Sequence, residues 1–143
     1  MRRHRHLGAY GLATADGSVL LIRKAKGPYT RAWDLPGRGI EFGEAPEDTV
    51  RRELMEETNL PVRRLELLAV YHKRLTYTLC DGEQEDLEHI GIIYRVEVDR
   101  TAPLQVHPDG IDSLGARWIR LDQLEGERLS PFAARALGLP DPW

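Results

Sequence analysis

Three carboxylates, Glu53, Glu56 and Glu57, stand in the stretch RRELMEETNL at residues 51–60. On an α-helix, at about 3.6 residues per turn, they fall within an arc of roughly 100°. Like charges three and four residues apart repel by about 0.2–0.5 kcal/mol per pair. The stripe is therefore either a solvated face, with Arg51 and Arg52 offsetting the repulsion, or a wall with a cation to hold.

The residues before it bear on that choice. Seven residues separate a fourth carboxylate, Glu44, from Arg52, and Glu44 follows Phe42 and Gly43. Before these lies Leu35-Pro36-Gly37-Arg38-Gly39, so the whole stretch reads LPGRGIEFGEAPEDTVRRELMEETNL. A glycine-rich loop leads into an acid-rich helix at fixed spacing. The stretch resembles the Nudix hydrolase signature, G-x5-E-x7-R-E-U-x-E-E-x-G-U with U a bulky apolar residue. Glu44, Arg52, Glu53, Leu54, Glu56, Glu57 and Leu60 occupy matching positions, and WDLPG leads in.

Two positions depart from that pattern. Asn59 replaces the last glycine, a mild change because Asn tolerates the left-handed conformation. Arg38 replaces the first glycine, whose backbone carbonyl in the family commonly helps to hold a metal. Arg38 keeps a carbonyl, but it adds a Cβ where positive φ is a concern and a guanidinium near a cation site.

The resemblance implies an α/β fold, a Nudix-type α/β/α sandwich with a mixed sheet. It also implies hydrolysis of a phosphoanhydride in a nucleoside diphosphate linked to another group, with water attacking phosphorus. Mg²⁺ or Mn²⁺ would neutralise the polyanion and activate water, and such hard cations take carboxylate oxygens. Glu53, Glu56 and Glu57 would be the ligands, with Glu53 also a candidate base and Arg52 orienting a helix glutamate. Glu44 and the Arg38 carbonyl complete the candidate metal set. A further acid from outside the box is sought among Glu83, Glu85, Asp86 and Glu88. The rival reading is a Nudix-fold nucleotide-binding module whose activity Arg38 has impaired. A third, isoprenoid diphosphate isomerisation, lacks a cysteine-plus-acid pair.

For substrate contacts the candidates are Arg23 and Lys24, with Lys26 beside them, against the alternative of a solvated strand end. Trp33 and Tyr29 are candidates to stack on a base or to pack the loop. Tyr77, 17 residues after Leu60, matches a position where some dinucleoside polyphosphate hydrolases carry Tyr. No proline resembles the ADP-ribose subgroup, and no accessory motif for NADH or coenzyme A is found. His4 and His6 read as a strand start, and His72, His89 and His107 lack ligand spacing. Cys80 reads as a small apolar residue, and Trp118 as core.

These residues need elements to position them. Residues 6–13 and 18–23 read as strands joined by an Asp16-Gly17 turn, the second apolar enough to be buried on both faces. Pro46 opens a helix with Glu47 and Asp48 in its first turn. Expected pairs are Glu47 with Arg51 and Asp48 with Arg52. Val50 and Leu54 face inward, and Asn59 and Pro61 end the helix. Residues 65–74 and 76–80 read as strands, 81–89 as an acidic loop, and 90–98 and 116–121 as strands. Ser130, Pro131 and Gly138 frame a terminal helix. Strands alternating with two helices make a layered α/β domain.

Bulk numbers set the frame. The chain has 143 residues, 41% hydrophobic and 30% charged, which suits one soluble domain over 1–143. A net charge of −3 gives no electrostatic footprint for nucleic acid. No apolar run approaches the roughly 20 residues of a membrane span. One cysteine excludes an intrachain disulfide and favours a cytoplasmic setting. The basic start MRRHRHLGAY lacks an apolar signal core. The expected partner is a small nucleotide, with neither nucleic acid nor membrane, acting on a monomer or homodimer.

Overall fold

The computed structural model describes residues 1–143. The chain runs β1 (Arg2–Leu12), β2 (Thr14–Ala15), β3 (Ser18–Lys24), β4 (Trp33–Asp34), β5 (Gly37–Gly39) and α1 (Pro46–Thr58). It continues with β6 (Val62–Thr78), β7 (Gln84–Val98), β8 (Ser113–Arg120), a 3₁₀ turn (Leu121–Gly126) and α2 (Pro131–Ala136). One sheet has the order β5-β1-β7-β6, with β1 and β7 parallel and the other pairs antiparallel. In the other, β3 pairs with β8 along one edge, and with β2 and then β4 along the other edge. The mixed α/β architecture is as expected.

Side-chain alternation on the strands explains the layers. On β3, Val19 and Leu21 enter one apolar cluster while Leu20 and Ile22 enter another. All four are fully buried, as the unbroken apolar run required. The first cluster holds Phe132, Ala133 and Ala134 of α2, and the second holds Val50 and Leu54 of α1. Each helix thus covers its own face of the strands. Each buried Val or Leu contributes roughly 1.5–3 kcal/mol. Gly11 lets α1 come close, since a Cβ there would stand 3.1 Å from a Leu54 methyl.

Helix α1 begins at Pro46 and ends on Asn59 in the left-handed conformation, φ 65°. Its expected i,i+4 pairs do not form. Tyr94 Oη donates to Glu47, Arg51 donates to the Val62 carbonyl, and Asp48 accepts from the Ala45 N–H. Tertiary partners and the free N–H of the helix start outcompete an exposed ion pair worth only a few tenths of a kcal/mol.

Other boundaries moved. β1 starts at Arg2 because its polar residues pair with the start of β7. Residues 65–74 and 76–80 are one long strand, β6, bulged between Leu67 and Ala69. Most of the expected acidic loop 81–89 is strand, for Glu85, Asp86 and Glu88 stand in β7. The glycine loop holds two short strands, β4 and β5, that no periodicity announces. Cys80 is exposed, not apolar filling, and Trp118 is half-buried at the edge of the second cluster. Ser130 caps α2 as expected, accepting from Ala133 N, and Gly138 follows with φ 72°. No helix is long and apolar enough to cross a membrane.

Candidate active site

The acid face of α1 lies against β5. The Gly37 N–H donates to Glu57 Oε1 at 2.8 Å. Gly37 has φ 145°, and a Cβ there would stand 2.2 Å from the Ala9 carbonyl, so only glycine fits. The backbone strain anticipated for Arg38 therefore belongs to Gly37, and Arg38 is a regular strand residue opposite Ala9. Gly11 donates to Pro36 O and Ile40 to Leu7 O. Antiparallel alternation makes Arg38–Ala9 the bonded pair between them. The Arg38 carbonyl keeps a second lone pair.

Arg52 gathers three of the four carboxylates. Its Nε and Nη2 bind Glu44 at 2.8 and 3.0 Å, and its Nη1 reaches Glu53 at 2.6 Å and Glu56 at 3.4 Å. Glu44 also accepts from Thr49 Oγ1 at 2.6 Å. These hydrogen bonds, led by the one from Arg52, pull the Glu44 carboxyl down to about 2. Arg52, expected to orient a helix glutamate, thus donates to Glu53 and Glu56 as well as to Glu44. Because the guanidinium draws them inward, no three His, Cys, Asp or Glu side chains converge as a ready metal cage.

Glu57 stands apart. It is 2% exposed, and its Oε2 has no hydrogen-bond partner. Glu53, one turn earlier, is 1% exposed. Burial first, and the neighbouring Glu53 second, push the Glu57 carboxyl well above the usual range. Burial likewise raises Glu53, against the opposing pull of Arg52. An uncompensated buried carboxylate costs several kcal/mol, and an orphaned buried oxygen calls for an explanation. A hard divalent cation fits this donor set: it would take up Glu57 Oε2 and offset the repulsion with Glu53.

The remaining sequence candidates divide. Lys24 lies beside this face, half-buried and paired with Asp112, and Tyr77 donates to Glu85 at 3.2 Å. Both line a cavity of about 280 Å³ together with Arg38, Gly37, His6 and Tyr29. Arg23 and Trp33 do not line it. Trp33 is buried in the core cluster under α2, its Nε1–H bound to Glu127 and the Arg23 guanidinium over its ring. Base stacking is thereby closed to it. The acids of β7 are equally committed: Glu85 is near Arg2, Asp86 forks onto Arg74, and Glu88 binds Arg5 and His72. None of them joins the α1 cluster. The largest cleft, about 630 Å³, is lined by residues such as Asp16, Arg64 and Trp118 and shares none with α1 or the glycine loop.

Sequence reasoning missed Asp112 and the inner wall of the cavity. His89 is buried, with Tyr10 Oη 2.7 Å from Nε2 and Tyr29 Oη 3.2 Å from Nδ1. Burial lowers His89 to about 3, so it stays neutral. No local pattern marks these residues, since they meet only when β1, β7 and two loops are brought together.

A family model described as the NUDIX domain matches residues 2–138. The chain belongs to the Nudix family. A MutT-like protein of Streptomyces ambofaciens is 29% identical over 130 residues, covering 88% of this chain and 70% of that protein. An ADP-ribose pyrophosphatase of Methanocaldococcus jannaschii is 37% identical over 68 residues, 48% of this chain. An RNA pyrophosphohydrolase of Psychrobacter cryohalolentis is 44% identical over 68 residues. The matches span only 40% and 38% of those two proteins. Among solved structures, a MutT Nudix hydrolase of Burkholderia pseudomallei superposes with TM-score 0.74 at 26% identity, covering 94% of this chain and 97% of that one. The Nudix domain of Shewanella oneidensis NrtR, solved with ADP ribose, gives TM-score 0.69 at 19% identity and supports the fold. In this Nudix chain the first box glycine is Arg38 and the last is Asn59, whose left-handed φ does a glycine's work.

Proposed function

We propose that the chain is a metal-dependent hydrolase that cleaves a phosphoanhydride in a nucleoside diphosphate-linked substrate. One observation carries this reading: a buried pair of carboxylates, Glu53 and Glu57, with an orphaned oxygen, backed by an arginine that organises the others. Glu53, Glu56 and Glu57 would hold Mg²⁺ or Mn²⁺, with Glu44 and the Arg38 carbonyl supporting. The metal, when bound, supplies Lewis acidity and an activated water. Glu53 is the carboxylate placed to accept the proton of the attacking water, with burial holding its carboxyl above the usual range against the pull of Arg52. Arg52 holds Glu44, Glu53 and Glu56 in register and donates to each. Lys24 meets the phosphates, and Tyr77 borders the remainder of the substrate. Relatives named as ADP-ribose and RNA pyrophosphohydrolases favour a nucleotide-linked diphosphate. The single unpaired cysteine, Cys80, suits a reducing, cytoplasmic setting.

The test is phosphate or pyrophosphate release from a nucleotide panel with Mg²⁺ or Mn²⁺. Metal-dependent turnover that disappears in Glu53→Gln and Glu57→Gln is expected. Nucleotide binding without turnover on any substrate would instead establish the binding module. That alternative rested on strain at Arg38 and on a guanidinium near the cation site, and the regular β5 geometry argues against the strain alone.

A further inference from the structure

Arg38 is the position where this chain departs furthest from the family signature, and its side chain has a place. It lies with Lys24 on the wall of the 280 Å³ cavity. Both cations turn to one carboxylate: Lys24 Nζ pairs with Asp112 Oδ2, and Arg38 Nε stands 3.9 Å from the same oxygen. At 3.9 Å the guanidinium makes no hydrogen bond to Asp112. Lys26 is a third cation on the lining, and Asp34 is the only other acid there. Asp34 accepts from Ser130 Oγ and the Leu35 N–H through Oδ1, and its charge acts on Lys24, so Lys24 has two acids beside it while the Arg38 guanidinium has no side-chain hydrogen bond. The Arg38 side chain is 39% exposed and lines the cavity, so its donors are accessible to a ligand there. Gly37, whose N–H holds Glu57, lines the same cavity. The cation seat and the acid helix are thus two sides of one site. Tyr29, Tyr77, His4 and His6 line the same cavity and offer ring faces suited to the flat, uncharged part of a nucleotide.

We propose that Arg38 and Lys24 form a seat for an additional phosphate, so that the site selects a nucleoside triphosphate over a nucleoside diphosphate joined to a neutral sugar. The proposal rests on the hydrolase reading for the site's location. A guanidinium fork matches phosphate geometry and gains a charge-assisted pair that a neutral ribose cannot return. Arg38 is then a specificity-determining residue rather than a defect in the metal loop.

Two measurements test it. In the first, inorganic tripolyphosphate is titrated calorimetrically into the metal-free protein with EDTA present. Binding is expected, about tenfold weaker in Arg38→Ala and only partly restored in Arg38→Lys, which keeps the charge but not the fork. Absence of binding to the unmodified protein, or equal affinity in Arg38→Ala, overturns the proposal. The second compares kcat/KM for ATP and ADP-ribose with Mg²⁺. The ATP to ADP-ribose ratio should fall about tenfold in Arg38→Ala, carried by KM. An unchanged ratio overturns the selectivity claim. If neither substrate is hydrolysed, the hydrolase reading fails by itself, and the titration still decides whether the seat exists.

Discussion

Two acidic rows of this molecule have nearly the same composition and opposite fates. The start of β7 carries Glu85, Asp86 and Glu88, and α1 carries Glu53, Glu56 and Glu57. On β7 each acid has its own cation: Arg2 for Glu85, Arg74 and Arg3 for Asp86, Arg5 for Glu88. On α1 a single Arg52 serves Glu44, Glu53 and Glu56, and Glu57 has no cation at all. A row in which each acid has its own cation is structure, whether part-exposed like Glu88 or buried like Glu85. A row that outnumbers its cations, with Glu53 and Glu57 buried, is poised for a ligand, and that surplus is what distinguishes a site from a solvated face.

The largest effect that would break this contrast is on α1. Glu57→Gln and Glu53→Gln should each lower kcat by about a thousandfold, comparable to losing a preorganised electrostatic group. Glu57→Gln should not lower the melting temperature of the metal-free protein, because Glu57 is the buried carboxyl with no cation beside it, whereas Glu53 is paired with Arg52. Calorimetry showing Glu57→Gln strongly destabilised without metal would mean that its charge is already compensated.

Arg52→Ala comes next. It frees three carboxylates at once, and a fall of about a hundredfold in kcat/KM is expected, with weaker metal binding. Arg52→Lys should recover only part, since an ammonium cannot form the fork onto Glu44 seen here. Full recovery by lysine would reduce Arg52 to a point charge.

His89, on β7 but facing inward, separates burial from charge pairing on a single strand. Its folded value is about 3 against about 6.5 when unfolded. The unfolded chain therefore binds the proton first as pH falls, and stability is lost downward from pH 6.5. Roughly 2 kcal/mol should disappear between pH 6.5 and pH 5, as the linkage of about 1.36 kcal/mol per unit requires. Denaturant melts at several pH values, compared between the native chain and His89→Gln, isolate this loss. A native chain and variant with the same pH profile would show that His89 is not the group responsible.

The smallest effect belongs to the paired row. Glu88→Gln should change stability by less than about 0.5 kcal/mol, within the range of exposed ion pairs, and leave turnover intact. A large loss of activity there would erase the distinction between the two rows.

Legibility followed the range of the interactions. Helix α1 was readable because Pro46, the acids of its first turn and Asn59 act locally. The Asp16-Gly17 hairpin and the buried run of β3 were readable for the same reason. β4 and β5 were not, since two- and three-residue strands exist only through the partners β3 and β1 supply. The acids of β7 read as loop because strand pairing, and not propensity, extends that strand to Gln84.

The amino-acid order alone determined the acid spacing, the helix that displays it and the Asn59 stop that ends it. Those depend on backbone torsions and on neighbours within one or two turns. Only the tertiary structure decided that Arg52 would choose Glu44 across the helix start, that Glu57 would be left with an unpartnered oxygen, and that Asp112 would meet Lys24 and Arg38. Partner choice of that kind is set by burial and by which distant strands lie adjacent, and nothing local in the chain encodes it.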